Sequence, residues 1–288
     1  MTRRDLIAGV LVLLLIVANG AIYWTVTHPQ PTVLKVSFLN IGQGDSILIQ
    51  SPTGEKLLVD GGPDRSVLRE LSRELGPLDR SVDMLVETHP DKDHISGLAD
   101  VLAQYQVSYF MSPGIPDTTA VFKRVEAAVT AEPGIVRYTA RRGMRIHLGG
   151  GAYADVLFPD TDESHQTITN NGSTVLHIHY GTTSFMLTGD LPSPYEDHLV
   201  ALDGGALQSD VLKAGHHGSK YSTDNVWLAT VRPSTVVISA GKDNTYGHPN
   251  PQTISRIQHE GAKIVSTIDH GTIDFTSNGT TIQEKDER

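Results

Sequence analysis

The feature that most constrains the fold of this chain is the recurrence of short apolar strands that end in loops rich in histidine and aspartate. The stretch Val82 to Glu87 reads as one such strand, and the run His89-Pro90-Asp91-Lys92-Asp93-His94 follows it closely. Side chains of this kind cannot all pack in a core, and loops at strand ends are where a rigid scaffold presents functional groups. The run therefore predicts a metal-binding site at a sheet edge.

Later segments repeat the arrangement, with polar side chains at Gly189-Asp190, at Gly215-His216-His217 and at Tyr246-Gly247-His248, each after a predicted strand. Asp60 follows a further strand, and we expect it to orient the ligand loop through hydrogen bonds. Each motif is weak by itself, but their repetition at successive strand ends favours a single shared site.

Composition limits the chemistry of such a site. The 288 residues include no cysteine, which excludes thiolate zinc sites, Fe–S clusters, disulfides and cysteine nucleophiles. A metal would have to be held by nitrogen and oxygen, which suits zinc, manganese or iron. The formal net charge of −10 argues against a chain that wraps nucleic acid with its whole surface.

The N-terminal segment, residues 1–26, predicts a membrane anchor. Arg3 and Arg4 precede a nearly unbroken apolar run from Leu6 to Val26, which is long enough to cross a bilayer as a helix. The two arginines predict that the N-terminus stays in the cytoplasm, so the rest of the chain would face outward. A cleavable signal peptide is the alternative, because Ala18-Asn19-Gly20 offers small residues for cleavage and would give a secreted domain.

The remainder reads as a linker at 27–32, a catalytic domain at 33–283 and a frayed charged tail at 284–288. Strands are expected at 33–38, 46–50, 56–59, 82–87, 154–158, 174–180, 184–187, 211–214, 236–239 and 263–267. Helices are expected at 67–75, 97–105, 120–131 and 251–260. Strands interspersed with helices predict an α+β fold of two sheets covered by helices.

Taken in order, these motifs resemble the metallo-β-lactamase superfamily, and within it the hydrolase domain of ComEC-type bacterial competence proteins. The matching stretches are Phe38 to Ser46, Leu58 to Gly62, His89 to His94, Leu187 to Asp190, Leu212 to Ser219 and Tyr246 to Pro249. The resemblance covers residues 33–283 and implies an αββα sandwich with the site at one edge.

The resemblance also implies two divalent metal ions, manganese or zinc. It assigns His89 and Asp91 to the first ion, assigns Asp93, His94 and His216 to the second, and makes Asp190 the bridge between them. His217 is the alternative to His216, because a shift of one residue turns a side chain to the opposite side of an extended segment.

The first site departs from the superfamily pattern. Asp91 stands where the superfamily has a second histidine, and Asn170, Asn171 and Ser173 occupy the region of a third. We therefore expect that the first site either favours oxygen-tolerant metals such as manganese or holds its ion weakly, and zinc stays an alternative. His165 is an alternative substitute ligand.

The implied activity is hydrolysis by a metal-activated hydroxide, with Asp93 as a proton acceptor and His248 as a general acid. Contacts to a substrate oxyanion are expected from His217, Ser219, Lys220, Asn244 and Tyr246.

The resemblance points to a phosphodiesterase or nuclease that acts on DNA outside the cell during DNA uptake. A basic cluster supports this expectation, and it comprises Arg137, Arg141, Arg142 and Arg145, joined by Lys213 and Lys220. With a single membrane span, the chain would act either as a nuclease beside a separate uptake channel or as a free-standing phosphodiesterase. The alternatives are a hydrolase of another extracytoplasmic ester, lactone or β-lactam, and a degenerate binding module without catalysis.

Overall fold

A computed structural model describes residues 3–27 and 33–287 of the chain. The chain divides into two compact units, Met1–Thr32 and Val33–Arg288. In the first unit, helix α1 spans Arg3–Thr27. Within the described ranges, no helix combines the length and the apolar character that a bilayer crossing requires. The predicted linker lies outside the described residues, except for Thr27.

Two β-sheets make up the centre of the second unit. The strands are β1 (Leu34–Phe38), β2 (Ile47–Gln50), β3 (Lys56–Val59), β4 (Ser81–Val86), β5 (Gln106–Ser112), β6 (Val136–Thr139), β7 (Arg145–Gly149), β8 (Ala152–Phe158), β9 (Val175–Tyr180), β10 (Thr183–Leu187), β11 (Val211–Lys213), β12 (Thr235–Ile238), β13 (Lys263–Ser266), β14 (Ile273–Ser277) and β15 (Ile282–Asp286). One sheet has the order β15-β14-β1-β2-β3-β4-β5-β6, and the other has the order β13-β12-β11-β10-β9-β8-β7.

The helices of this unit are α2 (Ser66–Leu75), α3 (Lys92–Ile95), α4 (Leu98–Leu102), α5 (Ala120–Ala131), α6 (Ser193–Asp203), α7 (Asn225–Val231), α8 (Pro251–Glu260) and α9 (Thr267–His270). The apolar sides of α2, α4 and α5 pack on the outer face of the first sheet, in a cluster that includes Leu71 and Val125. The helices α6, α7 and α8 cover the second sheet in the same way, through a cluster that includes Trp227 and Ile257.

A third apolar cluster lies between the sheets. Alternation along β1 turns Val36 and Phe38 inward, where Phe275 of the neighbouring strand β14 and Phe185 of β10 in the other sheet meet them. The ring centroid of Phe275 lies 5.8 Å from that of Phe38 and 6.2 Å from that of Phe185. The predicted α+β sandwich of two sheets is therefore confirmed.

The strand directions explain where the functional loops meet. Strands β3, β4 and β5 run parallel in the first sheet. Strands β10, β11, β12 and β13 run parallel in the second. Ligands bind outside the carboxyl ends of parallel strands, and the histidine and aspartate loops follow β3, β4, β10, β11 and β12 at those ends.

The expectation of a frayed tail is wrong for the described residues of that segment. Strand β15 pairs with β14 over its whole length, and the Glu284 carboxylate lies 2.8 Å from Lys263 Nζ. The Asp286 carboxylate lies 2.5 Å from His270 Nδ1. A charged sequence is compatible with an edge strand because each acid finds a base on a neighbouring element.

Candidate metal centre

A compact cluster of titratable side chains lies at the shared edge of the two sheets. Asp45, His94, Asp190 and His217 each offer one ligand atom, and these atoms all lie within 4.8 Å of one another. All four residues are at most 3% exposed to solvent. Buried charges at this density are costly unless they are paired or coordinate a metal.

The imidazoles are held by their Nδ1 atoms, which leaves Nε2 facing the cluster. His94 Nδ1 lies 2.7 Å from the Asp60 carboxylate, which also accepts hydrogen bonds from Thr88 N and Thr88 Oγ1. His217 Nδ1 donates to the Ser239 carbonyl oxygen at 3.0 Å. Asp60 thus joins His94 to Thr88, the residue just before the His89–His94 run. A hydrogen bond at one ring nitrogen fixes which nitrogen is free to bind a metal.

Several polar atoms in this cluster have no hydrogen-bond partner. They are the Nε2 atoms of His89, His94 and His217, with Oδ1 of Asp45 and Oδ1 of Asp190. Leaving a buried polar group unsatisfied costs about 1–3 kcal/mol. Nitrogen and oxygen donors that converge without partners are the arrangement that a divalent cation satisfies, so these residues fit the metal that the fold family implies.

The electrostatics of the cluster favour a cation. Burial disfavours a charged imidazole, but Asp190 and Asp60 outweigh it and hold the pKa of His94 well above its usual value. Burial acts in the same way on His217, where Asp190 and Asp45 outweigh it and raise the pKa to about 9. In the absence of a metal these imidazoles would carry protons, and metal binding must displace those protons.

Around the second oxygen of Asp190 lies a looser group of potential ligands. His89 Nε2 lies 3.6 Å from Asp91 Oδ2 and 3.9 Å from Asp190 Oδ2. His216 Nε2 lies 3.5 Å from the same Asp190 oxygen. His217 Nε2 also lies 3.5 Å from this oxygen, and it is 3.3 Å from Oδ2 of Asp93, the residue expected at the second ion.

The two consecutive histidines point to different parts of the site. His216 has φ +48° and His217 has φ +55°, an uncommon left-handed conformation for residues other than glycine. The structure places His217 in the cluster with His94, which corrects our preference for His216 at that position. The preference for His216 holds for an extended segment, whereas the left-handed turn at His216 and His217 brings the imidazole of His217 to His94.

Two residues at the site were not assigned a role there from the sequence. Lys213 is fully buried, and its Nζ contacts the Asp45 carboxylate, lies 3.1 Å from the Gly189 carbonyl oxygen and lies 3.7 Å from Asp190 Oδ1. The expectation that Lys213 contacts phosphate is wrong, because the side chain is closed to solvent. The Gly-Gln-Gly-Asp turn after β1 was the available signal for Asp45.

That turn has to approach the ligand loop closely. Gly44 has φ +125°, and a Cβ atom at this position would lie 2.0 Å from the Asp93 carbonyl oxygen. Only glycine tolerates both the conformation and the contact. The backbone around Asp45 is therefore seated directly on the loop that carries Asp93.

The residues expected to contact substrate differ in their availability. The His248 ring centroid lies 5.4 Å from that of His216, and Tyr246 stacks on His248 with 67% of its surface exposed. Asn244 Oδ1 accepts hydrogen bonds from the backbone N–H groups of Tyr246 and His248, so it holds its own loop rather than facing a ligand. This corrects its expected role.

In the loop after His217, one of the two residues expected to contact substrate is buried and the other is exposed. Ser219 is 2% exposed, which corrects its predicted substrate contact, and its Oγ accepts a hydrogen bond from Tyr221 N. Lys220 is exposed and its Nζ lies 4.9 Å from the centroid of the Tyr221 ring. His165, the alternative first-site ligand, is exposed on the segment between β8 and β9.

The predicted basic cluster is neutralised by neighbouring acids. The ion pairs are Arg137–Glu126 at 2.6 Å, Arg141–Asp162 at 3.1 Å, Arg142–Asp203 at 2.5 Å and Arg145–Asp155 at 2.6 Å. Paired arginines contribute little to a positive surface potential, so the expectation of a basic groove at these residues is wrong.

Two curated proteins are similar to this chain in sequence over most of its length. The chain is 31% identical over 259 residues to ComE operon protein 3 of Bacillus subtilis, covering 84% of this chain and 33% of that protein. It is 30% identical over 243 residues to competence protein ComA of Neisseria gonorrhoeae, covering 83% of this chain and 32% of that protein. The chain thus spans about a third of the length of these curated relatives.

A solved structure of similar fold is the metallo-beta-lactamase fold protein YhfI from Bacillus subtilis. It aligns with a TM-score of 0.54 at 11% identity, over 88% of this chain and 100% of that chain. The sequence model of the metallo-beta-lactamase superfamily matches residues 39–242, a range that holds most of the residues of the metal centre. This chain therefore belongs to the metallo-beta-lactamase superfamily.

Proposed function

We propose that this chain is a metal-dependent phosphodiesterase that cleaves DNA in the course of DNA uptake. The observation that carries the proposal is the convergence of buried, unpartnered imidazole nitrogens on Asp190. The substrate class rests on the relatives, one of which is named as a competence protein. Those proteins are about three times as long as this chain, so any activity that belongs to the whole relative is for this chain a proposal.

The residues present would hold two divalent ions, manganese or zinc. His94, His217, Asp93 and Asp190 would hold one ion, and His89 and Asp91 would contribute to the other. When bound, such ions lower the pKa of water and polarise a phosphodiester. Asp60 and the Ser239 carbonyl keep the imidazoles of His94 and His217 oriented throughout.

Asp93 and His248 are the side chains expected from the sequence to handle protons near the substrate. Burial acts to raise the pKa of Asp93, but His217 and His94 outweigh it and hold that pKa well below its usual value. This carboxylate therefore stays ionised at neutral pH, which suits a metal ligand better than a proton acceptor. Burial and the imidazoles of His216 and His217 lower the pKa of His248. A neutral His248 suits a hydrogen bond to the leaving oxygen better than full proton transfer, which modifies the general-acid role expected from the sequence.

A location outside the cytoplasm is part of the proposal and rests on the apolar run at residues 6–26. A chain exported in this way would meet incoming DNA beside a separate channel. Protease added to intact spheroplasts should degrade the domain, and protection of the domain until the membrane is broken would contradict this location.

The activity test uses the full chain with manganese or zinc on single-stranded DNA, bis-p-nitrophenyl phosphate and a chromogenic β-lactam. We expect cleavage of both phosphodiesters, and a loss of about 100-fold or more for Asp190→Asn because a charged ligand becomes neutral. Asp162→Asn, at an exposed acid, is the matched control and should retain activity.

Three results would contradict the proposal. Undiminished cleavage by Asp190→Asn would remove the role of this carboxylate. Turnover of the β-lactam without turnover of phosphodiesters would assign another substrate class. If the full chain bound neither manganese nor zinc, the domain would be a binding module without catalytic activity.

A further inference from the structure

We propose that His216 is a ligand of the first metal ion and takes the place of the histidine that the first site lacks. The set would then be His89, Asp91, His216 and the shared Asp190. The inference rests on the proposed function, because it assigns a ligand within the same metal centre. Under this proposal, His216 binds the first ion and the next residue, His217, binds the second.

The orientation of the His216 ring is the first argument. Its Nδ1 lies 3.3 Å from the terminal amide of Asn170, whose oxygen accepts a hydrogen bond from Nδ1 once the amide is turned by half a rotation, and its Nε2 lies 3.5 Å from Asp190 Oδ2. His89 shows the same arrangement, with Nδ1 3.0 Å from Thr88 Oγ1 and Nε2 turned toward the same aspartate oxygen. An imidazole anchored at one nitrogen with the other free is the arrangement found in metal-binding histidines.

The segment that lacks the third histidine supplies the second argument. Thr169 to Gly172 form a 3-10 turn beside the site. Thr169 Oγ1 donates to Asp91 Oδ1 at 2.6 Å, which leaves Asp91 Oδ2 facing His89 Nε2 at 3.6 Å. Asn170, the next residue, contacts His216. The turn therefore offers no imidazole of its own but orients two other side chains toward the position where an ion would lie.

An unpartnered buried atom is the third argument. His89 is fully buried, and its Nε2 has no hydrogen-bond partner although Asp91 and Asp190 both lie near it. His217 Nε2 lies equally near Asp190 Oδ2, at 3.5 Å, but it is also 3.3 Å from Asp93 Oδ2 and belongs to the cluster with His94, so we assign it to the other ion. The His216 side chain is 30% exposed, so it has room to turn and close the remaining coordination position.

Counting bound metal in single and double variants tests the assignment independently of activity. The full-length protein is stripped with a chelator, loaded with excess manganese and gel-filtered, and its metal is measured by mass spectrometry. We expect about two ions per chain for the natural sequence and about one each for His216→Gln and His217→Gln. The double variant should hold about none, because each histidine serves a different ion.

The controls separate this inference from its alternatives. His165→Gln should keep both ions, and circular dichroism should show that all variants are folded. The assignment is overturned if the double variant keeps one ion, since both histidines would then serve the same site. It is also overturned if His216→Gln binds as much metal as the natural chain, or if the natural chain binds a single ion.

The same variants distinguish failure of the inference from failure of the proposed function. The expected metal counts without cleavage of DNA or bis-p-nitrophenyl phosphate would leave the ligand assignment standing and refute the phosphodiesterase proposal. Cleavage by the natural chain, together with unchanged metal in His216→Gln, would refute only the ligand assignment.

Discussion

Replacement of Lys213 by methionine is expected to destabilise the metal-free protein strongly. The Lys213 ammonium is fully buried, contacts the Asp45 carboxylate and lies 3.7 Å from Asp190 Oδ1. At an effective dielectric constant of about 20, a charge pair about 4 Å apart is worth about 4 kcal/mol. Removing one partner of a buried ion pair typically costs about 3–5 kcal/mol. We expect Lys213→Met to lower the free energy of unfolding by about that amount.

Urea unfolding of the full chain, in chelator and in manganese, measures the effect. A bound cation supplies part of the positive charge that the variant has lost. Manganese should therefore reduce the difference in the free energy of unfolding between the variant and the natural protein. A ligand at about 100 times its dissociation constant stabilises the folded state by about 2.7 kcal/mol. Lys263→Met is the matched control: the Lys263 side chain is 59% exposed where it pairs with Glu284, and exposed pairs contribute about 0–1 kcal/mol.

A double variant tests the cause of the effect. Adding Asp45→Asn to Lys213→Met removes both charges of the pair and should recover much of the lost stability. The reasoning is refuted if Lys213→Met is as stable as the natural protein in chelator. It is equally refuted if neither manganese nor Asp45→Asn reduces the difference, because the lysine would then not be compensating the carboxylates.

Asp60→Asn should weaken manganese binding about 10- to 100-fold, because His94 loses the carboxylate that orients it. Calorimetric titration measures the affinity, and an unchanged affinity would contradict the orienting role of Asp60. Burial and His179 lower the pKa of His177 to about 3 from 6.5. Between these values the unfolded chain binds a proton that native His177 does not, so stability falls on acidification by up to about 1.4 kcal/mol per pH unit. From about pH 6.5 to about pH 5, urea unfolding should show that the natural protein loses about 1.6 kcal/mol more than His177→Gln; equal losses would contradict the cause.

Elements with a clear periodic pattern and marked ends could be predicted from the sequence. Helices α5 and α8 span the predicted residues, and each begins after a capping side chain, Thr119 and Asn250 respectively. Strand β6 (Val136–Thr139) was not predicted, because all four of its residues are exposed and so short an alternation is a weak signal. The helix expected at 97–105 is shorter and ends at Leu102.

The candidate site was predictable to the extent that its ligands come in short runs. His89, His94 and Asp190 meet at one edge because they follow the carboxyl ends of strands in the two sheets, and the sequence marks each of them by its place after a predicted strand. The direction of His216 and His217 could not be inferred, since it depends on two left-handed residues. The pairing of Lys213 with Asp45 joins positions far apart in the chain, and local sequence carries no signal for it.

The consecutive histidines between Gly215 and Gly218 also determine how this segment tolerates change. A substitution at one histidine alters a single imidazole and leaves the other in place. An insertion or a deletion of one residue would rotate both at once, because each points away from the chain through its own left-handed backbone. Length in this segment should therefore be under stricter constraint than residue identity, and libraries that vary the loop by insertion should yield far fewer functional clones than those that vary it by substitution.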